Sequence, residues 1–166
     1  YDMEGNLVKS SDAMGNSVCY KYNAQGKCTE VDGPRTVTSV EYDKYGNRTR
    51  LVDPDLGTVE YTYSPYGEIV SQKDSKGKTE FEYDQLGRVL EEVRPDFTYS
   101  YIYDIPWLGA LAHVSCSNGM SRSIRYDSYG RIISELEVVD GKKYTTNTSY
   151  NDKDQIDTVV YPSGFS

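Results

Sequence analysis

Apolar and polar positions alternate strictly over short runs that each end on a tyrosine: Val18/Tyr20/Tyr22, Val59/Tyr61/Tyr63, Thr79/Phe81/Tyr83 and Tyr99/Tyr101/Tyr103. A period of two puts those side chains on one face of an extended strand. No window of useful length carries the 3.6-residue period of an amphipathic helix. A short polar turn follows the tyrosine in Tyr1-Asp2-Met3-Glu4-Gly5, Tyr22-Asn23-Ala24-Gln25-Gly26, Tyr42-Asp43-Lys44-Tyr45-Gly46, Tyr63-Ser64-Pro65-Tyr66-Gly67, Tyr83-Asp84-Gln85-Leu86-Gly87, Tyr126-Asp127-Ser128-Tyr129-Gly130 and Tyr150-Asn151-Asp152-Lys153-Asp154. The first five tyrosines stand 20 or 21 residues apart, so one unit repeats along the chain. A further copy opens at Tyr103-Asp104 but runs into Ile105-Pro106-Trp107-Leu108-Gly109, and the period then stretches to 23 and 24 residues.

Asp-x-x-Gly is the sequence of a type I turn closed by a glycine in the left-handed region, the three-residue hairpin loop with a G1 bulge. Asp or Asn in first place accepts from the backbone two residues on, and Gly takes a positive φ at little cost. A second set of turns lies between these, at Asp12–Gly15, Asp32–Pro34, Asp53–Gly57, Asp74–Gly77, Pro95-Asp96, Asn118-Gly119 and Asp140-Gly141. Each unit is therefore two strands and two turns. The expected fold is all-β, an antiparallel meander of stacked β-hairpins forming one continuous array over residues 1–166, irregular at 103–120 and 140–157. The bulge register sets Tyr1 across from Leu7, Tyr22 from Cys28, Tyr63 from Ile69, Tyr83 from Val89, Tyr126 from Ile132 and Tyr150 from Ile156. Arg48 falls across from Tyr42, where a cation–π contact is expected. Cys19 and Cys28 fall on opposite faces, so a bridge between them would need a register slip. Three cysteines make no paired framework.

Composition narrows the picture. Only 37% of the 166 residues are hydrophobic while 17 are tyrosine, and the mean hydropathy is −0.69, too little aliphatic stock for a thick core. A net charge of −8 with scattered lysines and arginines argues against a nucleic-acid partner. No run approaches the roughly 18 apolar residues of a membrane-spanning helix, so no membrane insertion is expected. Tyr161-Pro162-Ser163-Gly164 reads as the opening of another unit, which marks the chain as an excised piece of a longer array.

Tyr-Asp-x-x-Gly-Asn/Arg at this period, preceded by an aromatic-x-Tyr strand, resembles the YD repeat of the Rhs family. Tyr42-Asp43-Lys44-Tyr45-Gly46-Asn47, Tyr83-Asp84-Gln85-Leu86-Gly87-Arg88-Val89 and Tyr126-Asp127-Ser128-Tyr129-Gly130-Arg131-Ile132 carry the resemblance most closely. It implies a β-ribbon that winds into a hollow shell around a cargo, as in Rhs polymorphic toxins, the C components of Tc toxins and teneurins. The implied role is a non-catalytic segment of a shell wall in a secreted or cell-surface bacterial protein. Its partners would be the neighbouring repeats of its own parent chain and the enclosed cargo. Asp53-Pro54-Asp55-Leu56-Gly57 has a superficial likeness to the Asp-Pro-x-Gly-Leu cleavage motif of toxin members, with Leu and Gly exchanged, and reads as an inter-strand turn.

Candidate chemistry is sparse. His113 is the one histidine, with no Ser or Cys at a motif spacing, and the turn aspartates are accounted for by local hydrogen bonds. No catalytic residue, cofactor or metal site is expected, since neither an EF-hand nor a calcium β-roll signature is present. The alternative is a carbohydrate-binding surface module, in which the turn residues Tyr45, Tyr66 and Tyr129 would stack on a glycan. Trp107, in the one apolar insertion, either anchors a partner or folds back over the sheet. Open strand edges around residues 6–11 and 155–161 are expected to promote self-association.

Overall fold

The computed structural model describes residues 1–164, which form strands and turns throughout. Within each of the two units described below, hydrogen-bonded strand neighbours are chain neighbours and the pairing is antiparallel. Two compact units divide the chain, residues 1–80 and 81–166.

The first unit holds β1 (Lys9–Ser11), β2 (Ser17–Tyr22), β3 (Cys28–Asp32), β4 (Val37–Tyr42), β5 (Arg48–Asp53), β6 (Gly57–Tyr63), β7 (Ile69–Asp74) and the start of β8 (Gly77–Tyr83). The predicted register holds for Tyr22↔Cys28, Tyr42↔Arg48 and Tyr63↔Ile69, each immediately beyond a bulge. Tyr1 and Leu7 are the exception, because the first strand begins only at Lys9. Their turn still closes, with Asp2 N–H donating to Asn6 C=O at 3.0 Å, but Tyr1 is 83% exposed and its ring supplies no packing to hold two strands together. Asp53–Gly57 is a hairpin turn, with Asp53 paired to Gly57.

The second unit holds the end of β8, then β9 (Val89–Val93), β10 (Thr98–Tyr103), β11 (Leu111–Cys116), β12 (Ser121–Tyr126), β13 (Ile132–Val139), β14 (Lys142–Tyr150) and β15 (Ile156–Val160). Tyr126↔Ile132 and Tyr150↔Ile156 keep the bulged register. The irregular stretch at 140–157 is a long hairpin whose two-residue turn, Asp140-Gly141, has positive φ at both positions, as a type I′ turn requires.

Burial is thin. Among the described residues only Val59, Cys116 and Ile124 are buried hydrophobics, and no large side chain is fully enclosed. Within each unit the described strands form one layer, so shielding comes from neighbouring side chains on the same face. The three cysteines are free.

Candidate functional site

The Tyr-Asp-x-x-Gly turns form the chemically richest part of the molecule. At Asp43 the backbone N–H donates to Asn47 C=O (2.9 Å), while Gly46 N–H donates to Asp43 C=O (3.0 Å). The Asp43 Oδ1 accepts from the N–H groups of Tyr45 (2.9 Å) and Asn47 (2.8 Å), and its Oδ2 accepts from the Asn47 side chain (3.0 Å). Asp2, Asp84 and Asp127 repeat the arrangement with Asn6, Arg88 and Arg131. These carboxylates are consumed by their own turns, and backbone donation from Arg88 leads the causes that hold Asp84 below its ordinary value.

The signature tyrosines do more than fill a face. Tyr22, Tyr42 and Tyr63 donate their hydroxyls to the carbonyls of Leu7 (2.9 Å), Cys28 (2.9 Å) and Arg48 (2.8 Å). In the second unit Tyr103, Tyr126 and Tyr150 do the same to Val89 (3.0 Å), Leu111 (2.9 Å) and Ile132 (2.9 Å). Each acceptor is the first residue after the preceding turn. The strand register explains why it is available. β3 pairs with β2 as far as Cys28, but with β4 only between Glu30 and Asp32, so adjacent hairpins part at this end and leave a carbonyl without a ladder partner. A half-buried carbonyl left unpaired is costly, and the phenol of the next repeat fills the vacancy. Desolvation raises the Tyr22 and Tyr63 hydroxyls above the ordinary phenol value, which keeps them protonated and donating.

A cation often joins one turn to the next. Lys27 donates to Gly46 C=O at 2.8 Å and lies 5.4 Å from the Tyr42 ring centre. Arg88 bonds Asp84, forks onto both oxygens of Asp104 (2.9 and 2.8 Å) and stacks 4.5 Å from Tyr103. Arg131 joins Asp127 to Asp154 and stacks on Tyr150. The Arg88 guanidinium first, then the Gly109 N–H, pull Asp104 down to about 2. Arg48, expected over Tyr42, instead lies 4.9 Å from the Tyr61 ring and donates to its hydroxyl, because Lys27 already occupies Tyr42.

Tyr45, Tyr66 and Tyr129 project from the turns, 78%, 90% and 76% exposed. Tyr45 and Tyr66, from consecutive turns, line one cleft of about 740 Å³. In the second unit the Arg131 guanidinium lies 5.0 Å from the Tyr129 ring. Trp107 Nε1 donates to Asp127 C=O at 2.7 Å, and a Cβ at Gly130 would sit 3.7 Å from its ring, so the enlarged loop rests on the following turn. His113 Nδ1 is 2.8 Å from Ser123 Oγ across β11 and β12, with no carboxylate on the ring among the described residues. No cluster of three or more metal-ligating side chains occurs among the described residues. The tyrosine hydroxyl row escaped sequence reasoning, although the tyrosine's recurrence where Phe would serve packing equally well is the signal for it.

The sequence model of the Teneurin YD-shell family matches residues 1–105. Among solved structures, the Photorhabdus luminescens Tc holotoxin pore with a TccC3 point variant is similar at 18% identity and a TM-score of 0.75, over 97% of this chain and 10% of that one. The TcdB2-TccC3-Cdc42 crystal structure is similar at 16% identity and a TM-score of 0.71, over 88% of this chain and 9% of that one. The chain thus spans about a tenth of the length of the solved chains it matches. No curated protein sequence matches it.

Proposed function

The chain belongs to the Teneurin YD-shell family, and we propose that it is one non-catalytic stretch of a shell wall that encloses a cargo in a secreted or cell-surface protein. The observation that carries this reading is the row of tyrosine hydroxyls, each bonded to the backbone of the preceding repeat. Such a row joins hairpin to hairpin along the array, which suits a wall. The two polar edges of turns and the thin burial fit a ribbon whose partners are neighbouring repeats of a parent chain.

The test is protease protection in a longer chain expressed with its flanking coding sequence. An enclosed segment resists protease while the wall is intact. Replacing Tyr42 and Tyr63 together with Phe loosens the wall and exposes that segment to cleavage. Equal protection of the segment in wild type and variant, or equal cleavage in both, counts against the reading.

A further inference from the structure

We propose that Asp140-Gly141 is a site of self-modification, where the chain converts the aspartate to isoaspartate through a cyclic imide, whatever the wall encloses. Three Asx-Gly dipeptides occur in the sequence: Asp32-Gly33, Asn118-Gly119 and Asp140-Gly141. In each, the glycine nitrogen has no side chain beside it and is the nucleophile that can reach the carbonyl carbon of the preceding side chain. The fold holds two of these nitrogens in hydrogen bonds. Gly33 N–H donates to Thr36 C=O and Gly119 N–H to Cys116 C=O, both at 2.9 Å. The turn at Asp140-Gly141 is closed instead by the pairing of Val139 with Lys142, and Gly141 N–H meets no acceptor among the described residues. The carboxylate differs in the same sense. Asp43, Asp84 and Asp127 are held by their own turns, whereas Asp140 accepts no bond among the described residues. Exposure does not decide the matter, since Asn118 and Gly119 are exposed, as Asp140 and Gly141 are.

The reaction needs no reagent but water. The Gly141 nitrogen gives up its proton to solvent and bonds to Asp140 Cγ, the C–O bond of the protonated carboxyl breaks, and a water molecule leaves the imide. Hydrolysis returns that water. Opening between the nitrogen and Cγ restores aspartate, while opening between the nitrogen and the main-chain carbonyl carbon leaves the chain running through Cγ as isoaspartate. At Asn118 the same attack would expel ammonia, and the bond from Gly119 to Cys116 must break first. Giving up one such bond slows the attack about tenfold. Isoaspartate adds a main-chain carbon to the two-residue turn, so Val139 and Lys142, at the ends of β13 and β14, lose the register that a type I′ turn imposes.

The test keeps the full chain in warm, mildly acidic buffer, folded or unfolded in urea, and maps isoaspartate by peptide mass spectrometry with electron-transfer fragmentation. In the folded chain isoaspartate accumulates at Asp140 about tenfold faster than at Asp32, and in urea the two rates converge. The variant D140N keeps the turn, because Asn-Gly suits type I′, and places the same dipeptide chemistry at two sites. Position 140 of that variant deamidates about tenfold faster than Asn118 in the folded chain, and at the same rate in urea. Equal rates at Asp32 and Asp140 in the folded chain, an excess at Asp140 that persists in urea, or Asn118 keeping pace with position 140 in folded D140N overturns the proposal. So does a folded chain that forms no isoaspartate at Asp140 over a period in which the unfolded chain does.

Discussion

The hydroxyl of Tyr42, the last residue of β4, donates at 2.9 Å to the carbonyl of Cys28, the first residue of β3, and so joins one Tyr-Asp turn to the one before it. Tyr42→Phe keeps the ring and removes only that donor. We expect a loss of about 0.5–1.5 kcal/mol, the ordinary net value of one such bond, and the same for Tyr126→Phe, whose acceptor is Leu111. Tyr45→Phe, on an exposed ring, changes nothing measurable. Urea unfolding of the three variants decides it, and equal midpoints for Tyr42→Phe and Tyr45→Phe would contradict the role given to the hydroxyl row.

Gly46 has φ +85°, and a Cβ there would sit 2.7 Å from Lys27 Cε. Gly46→Val forces a β-branched residue into the left-handed region, at about 1–3 kcal/mol, and displaces the lysine that bonds Gly46 C=O. Asn47→Val loses only the side-chain bond to Asp43. The first variant melts at the lower temperature; coincident melting curves would refute the turn geometry.

Acid should act on Asp104. Its carboxyl is pulled from 3.8 to about 2 by Arg88 and the Gly109 N–H, so the folded chain holds that proton less readily than the unfolded chain. The resulting stabilisation is complete above about pH 4 and disappears as pH falls through about 2. Asp104→Asn is therefore less stable than wild type at pH 7, and the gap narrows between pH 4 and 2. Denaturant midpoints at pH 7, 4 and 2.5 measure it. A constant gap across that range is inconsistent with the ion pair.

The hairpin register was legible because it is local: Asp43-Lys44-Tyr45-Gly46 encodes its own bulge, which alone places Tyr42 opposite Arg48. What Arg48 would touch was not legible. Its side chain has strands on both sides, and the choice of Tyr61 depends on Lys27, two strands away, having taken Tyr42. The hydroxyl row was hidden for a related reason, since the free carbonyl at Cys28 arises from where β3–β4 pairing stops.

The outer sides of β1 and β15 carry no strand partner among the described residues. β15, with Ile156 62% exposed, is the longer of the two. We expect concentrated solutions of the chain to associate through this edge. Lys in place of Thr158 should weaken the association, and light scattering that stays strictly monomeric at high concentration would remove the idea.

With almost nothing buried at a common centre, each hairpin of this protein answers chiefly to the two beside it. Damage therefore stays where it falls. A whole hairpin inserted or deleted between Tyr-Asp turns asks only that the new neighbour bring its own phenol and accept the last one's carbonyl, so the ribbon changes length in steps of about one repeat without a new packing problem.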